Sequence, residues 1–345
     1  MPLPDIHQQL PALQEWIKQH LPQLGTLQNI SSITGGYSNL TFRITIENRN
    51  YILRMPPPGA SVKTAHDMGR EFRVLTALRP HYPLVPEPLS YCDDTAILGA
   101  PFYIMQELQG VILRPGMKRL AELSPETFTE LSQRLIENLA SLHAIDIHTT
   151  GLIQLGKPEG YVQRQVTGWT QRYFQSETDV LHDMNGLADW LARQQLQSQA
   201  ASLLHNDYKY DNVLMDVETL STITGVLDWE MATIGDPLMD LGAALAYWFE
   251  ADDPVAFRAY NISWLPGNFS RQACADLYAE RSGRDLRDLL FYYVFGLFKN
   301  AVIAQQIYFR WKQGLHRDNR FEALLQLVQS LGRHGVQTLE KNRIS

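Results

Sequence analysis

The sequence predicts an α+β chain in two lobes, a small β-rich N-terminal lobe and a larger, mostly helical C-terminal one. Three observations carry this. Over roughly the first hundred residues, short apolar stretches alternate with glycine, proline and asparagine. Beyond Ser124-Pro125 the apolar residues recur at helical spacing. The length of 345 residues, with 45% hydrophobic and 19% charged residues, is ample for two cores.

The elements follow in order. A short amphipathic helix is expected over 10–21, with Leu13, Trp16 and Ile17 on one face. Strands are expected over 30–33, 40–46 and 51–55, the third ended by Pro56-Pro57-Pro58-Gly59. A helix over 64–78 carries Phe72, Leu75 and Leu78, with Glu71 beside them. Two further strands are expected over 88–91 and 102–105. The lobe boundaries fall at 1–105 and 111–345, with a hinge over 106–110. In the second lobe Ser124 caps a helix that has Pro125 at its first position, and Phe128, Leu131, Leu135, Leu139 and Leu142 keep its period. Helices are also expected over 169–174, 187–200, 238–249 and 286–309, the last a core helix because its ten-residue apolar run is too short for a bilayer.

A net charge of −7 argues against nucleic acid or an anionic membrane as the main partner. Two cysteines without a C-x-x-C suggest neither a zinc site nor a disulfide scaffold. The N-terminus lacks a basic segment followed by an apolar one, so a cytoplasmic location is expected.

The chemistry concentrates in two segments. One is His205-Asn206-Asp207-Tyr208-Lys209-Tyr210-Asp211-Asn212, flanked by apolar residues. The other is Leu227-Asp228-Trp229-Glu230, behind the apolar run 223–227. Phosphoryl transfer from ATP needs one carboxylate to align the attacking hydroxyl, and an Asn and a second carboxylate to hold Mg²⁺ on the phosphates. Asp207, Asn212 and Asp228 supply that set.

With Gly235-Asp236-Pro237 and Asp240-Leu241 downstream, this pattern resembles the aminoglycoside-phosphotransferase-like kinases, in particular the branch of kinase-like domains linked to acyl-CoA dehydrogenases. The resemblance spans about 30–309 and implies a bilobal, protein-kinase-like fold. It implies ATP and Mg²⁺ as cofactors and a small-molecule hydroxyl as acceptor, either a hydroxyacyl compound or other metabolic alcohol, or an aminoglycoside. By the same resemblance, Asp207 is the base, Lys209 offsets γ-phosphate charge, and Asn212 and Asp228 are the metal ligands. Arg54 stands where most kinases have lysine and would orient the α/β-phosphates with Glu71. Gly35, Gly36, Ser38 and Asn39 would cover the phosphates, although alone they are an ordinary hairpin turn. Adenine would sit against 105–108, including Glu107 and Leu108. His205 and His143 are expected to be structural, Asp236 to cap a helix and Asp240 to brace the loop. Asn206 replaces the family's usual glycine, and asparagine is the next-best residue where φ is positive. Asp179, Asp183, Asp189 and the run Glu250-Ala251-Asp252-Asp253 are the candidate attractors for a cationic acceptor.

The competing expectation is a nucleotide-binding or partner-binding module without turnover, supported by Arg54 and the reduced glycine loop. A protein kinase ranks last, since no Asp-Phe-Gly or Ala-Pro-Glu occurs.

Overall fold

The computed structural model describes residues 6–33, 39–57, 67–196, 198, 200–315 and 319–344. The chain divides into two compact units, Met1–Gly110 with Thr224–Ala232, and Val111–Ile223 with Thr233–Ser345.

The first unit contains α1 (Leu10–His20), β1 (Leu27–Ser32), β2 (Leu40–Ile46), β3 (Arg49–Met55), α2 (Met68–Leu78), β4 (Pro88–Cys92), α3 (Thr95–Leu98) and β5 (Phe102–Gln106). The strands form one antiparallel sheet in the order β1-β2-β3-β5-β4. β2 and β3 meet in a two-residue turn in which Glu47 and Asn48 both take positive φ, as a tight hairpin requires. Strand alternation then sorts the side chains. Phe42, Ile44, Ile46, Leu53, Met55, Phe102 and Ile104 join Leu13, Trp16 and Ile17 of α1 in one core. Alternation turns Ile52 and Arg54 to the opposite face, where α2 lies. α2 starts at Met68 with Asp67 as N-cap, its carboxylate accepting from Arg70 N at 2.8 Å. The earlier start expected for it, within 64–66, lies outside the described residues.

The segment Thr224–Ala232 is stitched to this unit by main-chain and side-chain bonds. Val226 N donates to Leu84 O at 2.7 Å, Thr224 Oγ1 donates to Gln109 O at 2.7 Å, and Arg70 donates to the carbonyls of Glu230 and Ala232. The Trp229 ring meets Tyr82 edge-on.

The second unit runs through α4 (Pro125–His143), α5 (Tyr161–Gln175), α6 (His182–Arg193), β6 (Ser202–Leu204) and β7 (Val213–Met215). After β8 (Ile223–Val226) come β9 (Thr233–Gly235), α7 (Pro237–Ala246), α8 (Arg271–Ser282), α9 (Leu289–Lys312) and α10 (Leu324–Lys341). Ser124 caps α4 as expected. α5, α6 and α7 are displaced from their expected bounds. α6 starts at His182 and ends at Arg193, because Gln194 turns to extended backbone. Every residue of α7 is buried, so its apolar sequence shows no solvent face. α7 and α9 cross closely at two glycines: a Cβ on Gly242 would meet Tyr292 O at 2.2 Å, and one on Gly296 would meet Gly242 O at 2.4 Å. Among the described residues, no helix is long and apolar enough to cross a membrane.

Candidate active site

In the second unit, β6 pairs antiparallel with β9 and delivers the loop that begins at His205. Asp240, on α7 and fully buried, braces that loop. Its Oδ2 accepts from His205 N at 2.6 Å and from His143 Nε2 at 3.1 Å, and its Oδ1 accepts from Asn206 N at 2.8 Å. Burial alone would raise this carboxyl's pKa, but the hydrogen bond and charge of His143, with His205, hold it below the ordinary value. His143 also pairs with Tyr278 OH at 2.7 Å, so this imidazole ties α4 to α7 and α8. Asn206 sits at φ +66°, a backbone conformation that asparagine tolerates better than most residues.

Asp207 follows. Its carboxylate accepts Lys209 Nζ on both oxygens, at 2.9 and 2.8 Å, and Asn212 Nδ2 on Oδ2 at 2.8 Å. Burial pushes its pKa up, and Lys209, Lys299 and His205 more than offset that, leaving it below the usual carboxylate value. Asp207 is therefore ionised at neutral pH. The Lys209 ammonium also lies 4.4 Å from the centre of the Tyr247 ring. Asn212 donates from Nδ2 to Asp207 O as well, at 2.8 Å, and this network orients its amide with Oδ1 as the remaining acceptor.

In the first unit, Arg54 is the hub of a carboxylate cluster. Its guanidinium reaches Glu71 at 2.9 Å, Asp228 at 3.1 Å and Glu230 at 3.6 Å. Burial works against the charge, but Glu71, Tyr103, Asp228 and Glu230 together hold the guanidinium pKa well above its ordinary value. Lysine could not span these three acids with a planar fork. Asp228 takes φ +66° two residues beyond β8, and its side chain remains one-third exposed. Asn39 donates to Glu230 Oε2 at 2.7 Å, so its amide is engaged by the acidic cluster. Glu107 turns its carboxylate to Arg43, with Nε donating to Oε1 at 2.7 Å, and Leu108 follows it in the segment after β5. Gly35, Gly36 and Ser38 lie outside the described residues.

Magnesium prefers hard oxygen donors and takes few of them from protein. The Asp228 carboxylate, in the first unit, and the Asn212 amide oxygen, in the second, are each a donor of the kind this ion takes.

Lys299, Glu230 and Tyr247 lie near these groups, and of the three only Glu230 falls within a motif. Lys299, on α9, is buried and donates to Asn206 O. Burial pushes its ammonium down to about 8, with Asp207 and Asp240 opposing that shift. It is a lysine within the apolar stretch of α9, a position that sequence patterning assigns to the core. Glu230 closes the Leu-Asp-Trp-Glu run, and Tyr247 belongs to no motif. The acidic run fares differently from its expected role. Glu250 and Asp253 both pair with the buried Arg271, so two of its three acids are internal ion-pair partners and not free attractors.

The profile of the phosphotransferase enzyme family matches residues 29–277. Acyl-CoA dehydrogenase family member 11 of Rattus norvegicus is 34% identical over 338 residues, covering 94% of this chain and 42% of that protein. The chain thus spans less than half the length of that curated relative. A crystal structure from Ralstonia eutropha, described provisionally as an aminoglycoside phosphotransferase, is 30% identical, covers 96% of this chain and 98% of its own, and superposes with a TM-score of 0.80. A thermostable mutant of aminoglycoside phosphotransferase APH(4)-Ia, in ternary complex with AMP-PNP and hygromycin B, shares the fold at 16% identity, with a TM-score of 0.61 and 95% and 98% coverage.

Proposed function

The chain belongs to the phosphotransferase enzyme family, and from that premise we propose that it transfers the γ-phosphate of Mg·ATP to a hydroxyl of a small molecule. The observation that carries this is the Asp207 carboxylate. It is ionised, half-buried and fixed by Lys209 and Asn212, on a loop held by Asp240. A binding module has no use for so constrained a carboxylate.

Asp207 would accept the proton of the acceptor hydroxyl as that oxygen bonds to the γ-phosphorus and the bond to the β,γ-bridging oxygen breaks, releasing ADP. The transition state is loose, so the alignment supplied by Asp207 matters more than its basicity. Lys209 would offset charge on the transferring group. Arg54, held by Glu71, would face the α/β-phosphates. Asn212 and Asp228 would hold Mg²⁺, which when bound supplies neutralisation of phosphate charge. Asp228→Ala is then expected to weaken Mg-dependent ATP binding, and an unchanged affinity would remove it from the ligand set.

For the acceptor we favour a hydroxyacyl compound or another metabolic alcohol over an aminoglycoside. Similarity to acyl-CoA dehydrogenase family members supports this, as does the engagement of Glu250 and Asp253 by Arg271. A cytoplasmic setting fits ATP use and two buried free thiols.

The test is incubation of Mg·ATP with metabolite extract, hydroxyacyl-CoA esters and aminoglycosides, read by ³¹P NMR and mass spectrometry with Asp207→Ala alongside. A phosphorylated product made only by wild type is expected. The Arg54–Asp228 ion pair favours one other reading, a nucleotide-binding module without turnover. Tight Mg·ATP binding with no product across these panels would favour that module.

A further inference from the structure

We propose that Lys299 is a positioning residue for the candidate catalytic loop and that it acts through the main chain of Asn206. The inference rests on the reading of Asp207 as the carboxylate that aligns the acceptor.

Asn206 is gripped on three sides by three helices. Its N–H donates to Asp240 of α7 at 2.8 Å. Its carbonyl accepts Lys299 Nζ of α9. Its side-chain Oδ1 accepts from Tyr161 OH of α5 at 3.2 Å. The residue so held has φ +66° and immediately precedes Asp207, so its two dihedrals set where the Asp207 carboxylate stands. A main-chain carbonyl fixed from outside the loop is an effective lever, because a shift of about 1 Å in a reacting group can cost about 10²-fold in rate.

Packing does not explain a lysine here. Its neighbours on α9, Phe295, Phe298, Ala301 and Val302, are all buried and apolar. Methionine would fill similar space without the cost of burying an ammonium. The ammonium has three donors and faces Asp207 and Asp240, with Lys209 as the nearby like charge and the Trp169 ring 5.8 Å away. Both carboxylates belong to the loop or to its brace. The cation is therefore aimed at the loop and not at the core around it.

The experiment compares Lys299→Met, Lys299→Gln and wild type by steady-state kinetics, thermal melting and amide hydrogen exchange at residues 206 and 207. For Lys299→Met the expected results are a kcat lower by about 10- to 100-fold, a KM for Mg·ATP within about threefold, an unchanged or higher Tm, and exchange about tenfold faster. Glutamine keeps a donor without the charge and should recover part of both losses. Wild-type kcat, unaltered exchange, or a kcat loss accompanied by a fall in Tm and a rise in KM each overturns the proposal; the last pattern marks a residue that only packs. Should wild type show no turnover beyond Asp207→Ala, the phosphotransferase reading fails. Exchange and melting then decide the role of Lys299 without it.

Discussion

Removal of the Asp240 carboxylate is the perturbation whose cost follows most directly from the structure. Asp240→Ala leaves the main-chain N–H groups of His205 and Asn206 without their acceptor, and His143 Nε2 without its partner, all in a site with no solvent access. Each buried polar group left unsatisfied costs about 1–3 kcal/mol. Water entering the small cavity recovers part of this, so the expected net loss is about 3–5 kcal/mol, as for a broken buried charged network. Equilibrium urea unfolding at pH 7 measures it, followed by tryptophan fluorescence and by circular dichroism so that any non-coincident transition of the two units is detected. The sign with pH also follows. The Asp240 pKa is depressed on folding, so its contribution is present above the ordinary value of 3.8 and is lost as pH falls through the lower folded value. The gap between wild type and variant should therefore narrow only in strong acid. A loss below about 1 kcal/mol at pH 7 would refute the argument that this carboxylate holds the loop.

Two further predictions concern buried cations. Arg54→Met strips Glu71, Asp228 and Glu230 of their common partner and should destabilise by about 3–5 kcal/mol in the same unfolding assay, whereas Arg54→Lys should lose less because the charge is kept. A near-neutral Arg54→Met would mean that Glu71 is protonated and needs no cation. Lys299 titrates near 8 when folded against 10.5 when free, so the unfolded chain binds more protons in that interval and wild-type stability should rise between those pH values by up to about 3 kcal/mol. Lys299→Met should lack that rise, and its persistence in the variant would assign the titration elsewhere.

Much of the fold is legible because its signals are local. The β2–β3 hairpin follows from the alternation of β2 and the apolar run of β3 on either side of a turn that tolerates positive φ, and the start of α4 follows from Ser124-Pro125. The structure's grouping of Thr224–Ala232 with the first unit is not local information. It depends on Val226 pairing with Leu84 and on Arg70 reaching two carbonyls more than 150 residues away in sequence. The helices α8 and α10 went unforeseen although each carries a signal. Ser270 and Gly283 bracket α8, and Leu324, Leu327, Val328 and Leu331 keep a helical period through α10. In the candidate site, the residues that have a motif also have a pattern to be found by. Lys299 has none, because a buried lysine in an apolar helix takes its meaning from the main-chain oxygen it meets, and that oxygen is 93 positions earlier in the chain. The engagement of Glu250 and Asp253 by Arg271 is likewise a matter of three-dimensional pairing that a run of acids does not announce.

The most direct test of the central claim is to measure γ-phosphate transfer and Mg·ATP affinity together in Asp207→Asn and wild type. Asparagine keeps the size of the side chain and removes its capacity to take a proton. The account predicts transfer reduced by about 10³-fold or more, with the Kd for Mg·ATP within about threefold. Transfer at the wild-type rate, or a loss explained wholly by weaker nucleotide binding, would contradict it.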